Sequence, residues 1–139
     1  MDGAVPYGGG PARWAGATYD PTSHYRAARV LDFLDQSGLT PDVLRAASRR
    51  QVGLLAERFD ALDLDPAVID RDRSVPLERI GGFLALESPQ AAEISTRLRA
   101  RAVLTDCRGD LLRLGPAPYL ADEQLRTAMD AVGGAARAV

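Results

Sequence analysis

Apolar residues recur at helical spacing in four stretches of this 139-residue chain. Each stretch has a capping residue, a proline or a glycine near a boundary, which predicts four helices. The boundary signals are Asp20-Pro21 with Gly38, Thr40-Pro41 with Leu62, Ser88-Pro89, and Gly133-Gly134. The apolar stripes are Ala27, Val30, Leu31 and Leu34; Leu44, Ala47, Leu54, Leu55, Phe59 and Leu62; Ala91, Ile94 and Leu98; and Leu125, Ala128, Met129 and Val132.

Short apolar or alternating stretches predict strands between these helices. Residues 82–86 and 111–114 are the clearest, and residues 103–105 are expected to pair with 111–114 across a five-residue hairpin loop. Residues 67–69 are a further short candidate, and Gly109 supplies a positive φ in the hairpin. The order of elements predicts an α+β fold, with a small three- to four-stranded sheet and helices packed on one face.

Two segments are expected along the chain. Residues 1–19 lack helical periodicity and contain Gly8-Gly9-Gly10-Pro11, so they are predicted to be an extended linker. Residues 20–139 are predicted to form one domain. The charged loop of residues 70–73 has two acidic and two basic residues, and we expect it to have a structural role.

Composition excludes several classes of function. A formal net charge of −2 gives no electrostatic reason to bind nucleic acid or an anionic membrane. No apolar run approaches the roughly 20 residues that span a bilayer, and the amino terminus lacks the pattern of a secretory signal. One cysteine, Cys107, excludes an internal disulfide and a cysteine-based zinc site. We therefore expect no metal site and a cytoplasmic protein.

Arg113 is the main candidate for chemistry. Leu112 and Leu114 point to one face of the predicted strand, so Arg113 points to the other. An arginine on a strand between buried leucines can bind a carboxylate through two parallel hydrogen bonds. The alternative is a solvated arginine on an open sheet face.

The stretch around this arginine resembles a known family. Residues 106–119, DCRGDLLRLGPAPY, are similar to the C-terminal small domain of kynureninases, which are class V aminotransferase-fold enzymes that use pyridoxal phosphate. The resemblance extends from about Gly16 onward. It implies that Arg113 binds the substrate α-carboxylate, with Arg108 and Tyr119 in support. The implied reaction is hydrolytic cleavage of the Cβ–Cγ bond of kynurenine, giving anthranilate and alanine.

The resemblance also assigns possible roles near the amino terminus. It implies that Thr18 contacts the cofactor phosphate and that Trp14 packs near the cofactor, although local helix capping and a packing anchor are the alternatives. His24 lies in the first predicted helical turn without a second metal ligand at a suitable spacing, so a structural role is preferred. Cys107 would be the nucleophile if the chain came from a cysteine desulfurase.

All 17 basic residues are arginine, and the chain contains no lysine. Pyridoxal phosphate enzymes hold the cofactor as a Schiff base on a lysine amine. The resemblance therefore implies a large cofactor-binding domain, from the same or a separate chain, in an enzyme that is a homodimer and acts on an amino acid. The alternatives are the small domain of another class V enzyme (an aminotransferase or a desulfurase), a free-standing interaction module, and a non-functional remnant.

Overall fold

A computed structural model of the protein describes residues 9–14 and 20–139. These residues fall into two compact units, one that ends at Thr40 and one from Pro41 to Val139. The boundary that the sequence predicts at residues 19 and 20 lies where residues 15–19 are outside the described residues. It stays a prediction.

The first unit contains a short 3-10 helix, Gly10–Trp14, and helix α1, Thr22–Gln36. Asp20 Oδ1 accepts a hydrogen bond from the Thr22 N–H at 2.9 Å, and contacts to Thr22 lower the pKa of the Asp20 carboxyl. Gly38 has a φ of +64°, a conformation in which glycine commonly follows a helix. Gly38 therefore follows the helix as the sequence predicts, whereas Pro21 is the residue just before the first helical residue, Thr22, and Asp20 bonds from one position further out.

The second unit has three α-helices and three strands. Helix α2 spans Pro41–Ala61, and α3 and α4 span Ala91–Arg99 and Asp122–Ala136. The strands are β1, Leu84–Glu87; β2, Asp106–Arg108; and β3, Leu111–Leu114. They form an antiparallel sheet of order β1-β3-β2. The predicted α+β fold with a small sheet is confirmed.

The core lies between one face of this sheet and the three helices of the second unit. Alternate residues of β1 and β3 point into it, because successive strand side chains face opposite ways. The most completely buried of its large apolar side chains are Val52, Leu55, Ile69, Leu86, Ile94, Leu98, Leu112, Met129 and Val132. The intervening strand residues, which include Ala85 and Arg113, are left on the other face of the sheet.

Residues 103–105 do not form the predicted strand. Ala102 has a φ of +60°, and the Val103 N–H donates to the carbonyl of Leu98 at 3.0 Å, which is a helix-ending arrangement. Residues 103–105 therefore belong to the turn that follows α3, and β2 begins at Asp106. The hairpin to β3 then has a two-residue turn, Gly109-Asp110, in which Gly109 has the expected positive φ, +56°.

Two other sequence predictions are corrected. Residues 67–69 are not a strand: the N–H groups of Val68 and Ile69 both donate to the Asp65 carbonyl, and only Asp70 pairs with β1, as a single bridge to Glu87. Helix α4 does not stop at Gly133-Gly134 but continues to Ala136. Glycine there allows close packing, because a Cβ on Gly133 would lie 3.1 Å from a methyl of Leu62.

Candidate functional site

The candidate site is on the sheet face that the helices leave uncovered. Arg113 occupies the middle of β3, the central strand, opposite Ala85 on β1 and Asp106 on β2. Leu112 and Leu114 are 0% and 6% exposed on the core side. The Arg113 side chain is 24% exposed, so it lies on the open face and not in the packed interior.

Two neighbours hold the Arg113 guanidinium. Nη2 forms an ion pair with Oδ2 of Asp106, and Cζ lies 5.2 Å from the centre of the Phe83 ring, within the range of a cation–π contact. The Nε atom is buried and has no hydrogen-bond partner among the described residues. A guanidinium carries five N–H donors, so the contact with Asp106 leaves capacity to bind a second anion.

A second row of side chains lies beside Arg113 on the same face. Glu87, Leu111 and Arg108 stand opposite one another across the three strands. The Arg108 Nε is 3.4 Å from Oδ2 of Asp106, the oxygen that also contacts Arg113. Arg108 is thus placed to share the charge of Asp106.

A hollow of about 290 Å³ lies beside Phe83 and Ala85, two neighbours of Arg113, although Arg113 itself does not line it. Its lining includes Phe83 and Ala85, which also neighbour the guanidinium, together with Arg71, Asp72 and Val75 of the adjoining loop. Phe83 is 40% exposed. Arg113, the Phe83 ring and this open space lie close together, and Arg71 and Asp72 add one charge of each sign to the lining of the hollow. Such a combination suits the binding of a small organic acid.

The charged loop of residues 70–73 is tied to the end of α2. Arg71 forms two hydrogen bonds with the carboxylate of Asp60, at 2.9 and 2.5 Å, and Arg73 bridges Asp60 and Asp70. The pKa of Asp60 is lowered, and the hydrogen bonds from Arg71 are the largest cause. The pKa of Asp70 is also lowered, and there the hydrogen bond from Arg73 is the largest cause. These contacts are internal to the second unit, as expected for a structural loop.

Of the other residues that the sequence singles out, Arg108 is on this face, and the positions of the remaining ones are as follows. Thr18 and the side chain of Trp14 lie outside the described residues. His24 is exposed in the first turn of α1, in the first unit. Cys107 is half-buried on β2 and packs against the core, with its Sγ 3.6 Å from the carbonyl of Gly109. Tyr119 is 86% exposed.

Sequence reasoning named Arg108 as a supporting residue but missed Asp106 and Phe83, which contact Arg113. The sequence presents Asp106 only as a neighbour of Cys107, because its pattern predicts a five-residue hairpin loop. With a two-residue turn, Asp106 stands directly opposite Arg113. Phe83 has no sequence signal, since it precedes β1 and contacts Arg113 only through the fold.

Neither a metal site nor a membrane span is found in the described ranges. Residues 9–14 and 20–139 contain no group of three or more His, Cys, Asp or Glu side chains that could hold a metal ion. None of the helices in these ranges is long and apolar enough to cross a membrane.

Solved structures with the same fold include aminotransferases. A mutant of M. tuberculosis Rv3290c shares 27% identity with this chain at a TM-score of 0.64, over 92% of this chain and 28% of that one. A lysine aminotransferase from M. tuberculosis in the internal aldimine form shares 28% identity at a TM-score of 0.56, over 79% of this chain and 24% of that one. A transaminase with L-ala, at 20% identity and a TM-score of 0.60, supports the fold alone. The protein therefore has a fold that occurs in aminotransferases, and it spans less than a third of the length of these chains.

The family is more specific than the fold. Residues 44–132 match the family described as the kynureninase C-terminal domain, and this range includes the whole sheet and Arg113. The chain belongs to this family, and the resemblance seen in the sequence is confirmed. A comparison with curated proteins finds no match.

Proposed function

We propose that this chain is the small domain of a pyridoxal phosphate-dependent, kynureninase-like enzyme and that Arg113 binds the α-carboxylate of its amino-acid substrate. The observation that carries the proposal is the position of Arg113. It lies on the central strand of the sheet, within the range that matches the family, and its side chain is half-buried on the open face. Its Nε–H has no hydrogen-bond partner among the described residues. Partial burial strengthens a guanidinium–carboxylate pair, because water screens it less than it would a fully exposed pair.

The proposed reaction is the hydrolytic cleavage of kynurenine to anthranilate and alanine. In this reaction, Arg113 orients the substrate by binding its carboxylate, and the Phe83 ring limits the movement of the guanidinium. The hollow beside Phe83 and Ala85 gives the rest of a small substrate room to lie along the sheet face. These roles concern binding and orientation only.

The residues of this chain do not fit pyridoxal phosphate as a covalent cofactor. The chain has no lysine, and the guanidinium of arginine stays protonated and cannot replace a lysine amine. The cofactor, its lysine and the catalytic base are therefore assigned to a large domain, from the same or a separate chain, in a homodimeric enzyme. Thr18 and Trp14 remain the residues proposed to approach the cofactor from this chain.

The experiment is to produce the chain together with a large domain of the same family and to measure the cleavage of kynurenine. Arg113→Gln is expected to lower kcat/KM by roughly 30- to 1000-fold, the loss typical of one partner of a desolvated charged pair. Arg126→Gln, at an exposed position of α4, is the matched control and should have little effect.

A substrate analogue without the α-carboxylate makes the test specific. The parent and Arg113→Gln enzymes should use this analogue equally poorly, because neither can form the proposed ion pair. If Arg113→Gln lowered kcat/KM by the same factor for kynurenine and for the analogue, the carboxylate role would be rejected.

A second candidate is an aminotransferase small domain, which the 28% identity to a lysine aminotransferase favours. Arg113 would have the same role there. The two candidates differ in products, since cleavage of kynurenine yields anthranilate, whereas transamination yields an oxo acid and leaves the substrate skeleton intact.

A further inference from the structure

The carboxylate of Asp106 is shared by two arginines. Its Oδ2 contacts Nη2 of Arg113 and lies 3.4 Å from Nε of Arg108. Asp106 and Arg108 are two residues apart on β2, so both side chains are on the open face, the face of Arg113. The two-residue turn at Gly109-Asp110 fixes this register.

The charges around Arg113 affect how strongly a second anion is attracted. Asp106 and Arg113 alone would form a neutral pair, and a neutral pair has little long-range attraction for a carboxylate. Arg108 adds one positive charge, so the group of three carries a net charge of +1, while Glu87 lies on the same face in the row of Arg108. Arg108 therefore makes the surroundings of Arg113 more favourable to an incoming acid than Asp106 and Glu87 alone would.

We propose that Arg108 is a positioning residue that shares the charge of Asp106 and so keeps Arg113 able to bind a substrate carboxylate. The inference rests on the proposed function, because it assumes that Arg113 receives the substrate. Asp106 has the complementary role: it holds Nη2 from one side while the Phe83 ring lies over Cζ, so the guanidinium has a fixed orientation.

Exposure makes this charge effect separable from folding. The side chains of Arg108 and Asp106 are 73% and 52% exposed, and exposed ion pairs contribute little to stability. Substitution of Arg108 should therefore leave the fold intact. Any change in carboxylate binding then reports on charge at the site.

The test compares Arg108→Gln, Asp106→Asn and the double variant in the enzyme assembled with its large domain. Arg108→Gln makes the group neutral and is expected to raise KM roughly three- to tenfold with kcat unchanged. In the double variant the net charge returns to +1, and the amide oxygen introduced by Asp106→Asn can still accept a hydrogen bond from Arg113. KM should therefore return to within about twofold of the parent value.

Two controls separate charge from structure. Arg108→Lys keeps the charge and should keep the KM of the parent. The effect of Arg108→Gln should shrink in about 1 M salt, because the Debye length falls to about 3 Å. An unchanged KM in Arg108→Gln, or no recovery in the double variant, would overturn the proposal.

The same question can be asked of the 139-residue chain without any cofactor. Titration with acetate, followed by the NMR signal of the Arg113 Nε–H, should show binding that Arg108→Gln weakens roughly three- to tenfold. If Arg113→Gln leaves the use of kynurenine unchanged, the proposed function fails. If Arg113→Gln acts as expected while Arg108→Gln changes neither KM nor acetate binding, only the role of Arg108 is wrong.

Discussion

Gln51 and Ala117 are 66 residues apart in the chain, yet Nε2 of Gln51 donates to the carbonyl of Ala117 at 3.0 Å. The same nitrogen is 3.2 Å from the carbonyl of Leu120, and Gln51 is 1% exposed. One buried amide on α2 thus fixes the segment through which the chain leaves β3. This segment follows Leu114, the last residue of β3, and Arg113 is the residue before it.

Replacing Gln51 by leucine should destabilise the protein. The Leu120 carbonyl would lose this donor, whereas the Ala117 carbonyl would still accept from the Leu120 N–H. One unsatisfied polar group costs about 1–3 kcal/mol when buried, and the simultaneous loss of the buried, unpaired Oε1 of Gln51 offsets part of that cost. The free energy of unfolding from urea titration measures this loss. Glu57→Leu, at an exposed position of the same helix, is the control and should change stability by less than about 0.5 kcal/mol. Equal stability of the Gln51→Leu and parent chains would show that the two hydrogen bonds are dispensable.

Two adjacent glycines of α4 should respond differently to alanine. A Cβ at Gly134 would meet Nη1 of Arg101 at 2.8 Å, the far end of an exposed, flexible side chain that can move away. Gly134→Ala should therefore stabilise the protein by about 0.5–1 kcal/mol through helix propensity.

Gly133 has less room. A Cβ there would lie 3.1 and 3.2 Å from the two methyls of Leu62 and 3.0 Å from Nη1 of Arg137, which itself donates through Nη2 to the Leu62 carbonyl. Gly133→Ala should be less stable than Gly134→Ala by about 1 kcal/mol or more. Thermal unfolding of both variants checks the order, and the reverse order would contradict this account of the packing.

The Asp60 carboxylate should contribute to stability in a pH-dependent way. Its pKa is lowered from 3.8, chiefly by the hydrogen bonds from Arg71. A carboxyl whose pKa is lower in the folded state stabilises the protein above the unfolded pKa, and this contribution is lost as the pH falls through the folded pKa. Because the Asp60 side chain is 38% exposed, we expect about 1 kcal/mol or less.

Asp60→Asn should therefore cost stability at pH 7 and cost progressively less below pH 3.8, the ordinary pKa of an aspartate. Unfolding free energies of the variant and the parent across this range measure the difference. Glu57→Gln on the same helix is the control. A stability difference that stayed constant from pH 7 down to the acid limit would show that Asp60 acts through something other than its charge.

Cys107 should be dispensable for catalysis. It is half-buried and packs against the core from β2, whereas a cysteine desulfurase needs a mobile nucleophile. Cys107→Ala should leave kcat/KM of the assembled enzyme unchanged and lower stability by about 1 kcal/mol through lost packing. A folded variant without turnover would instead favour the desulfurase alternative.

The strand that carries Arg113 is predictable because its alternation is local. The sequence places residues 111–114 in a strand with Arg113 on the open face, and the structure has β3 at those residues. The strand predicted at residues 103–105 is wrong because apolar side chains that end a helix resemble a short strand. Hydrogen bonding to Leu98 decides between them, and the strand propensity of three residues is too weak to show it.

The same kind of local ambiguity places the end of α4 wrongly and hides one residue of the candidate site. The glycine signals at residues 133 and 134 indicate a helix end, although close packing against Leu62 is what makes glycine suitable there. Asp106 is not recognisable as the partner of Arg113 from the sequence, because its position depends on the length of the hairpin turn. A change of one residue in register would turn its side chain to the other face.

The sequence by itself determined the α+β class, the facing of Arg113 and the absence of any lysine that could hold a cofactor as a Schiff base, because these follow from side-chain periodicity and from the residues present. Only the tertiary structure decided that Asp106, Arg108 and Phe83 surround the guanidinium and that Gln51 holds the segment after β3. Such contacts join residues that are distant in the chain or set by strand register. Packing of the helices and sheet selects them, and no local pattern encodes that selection.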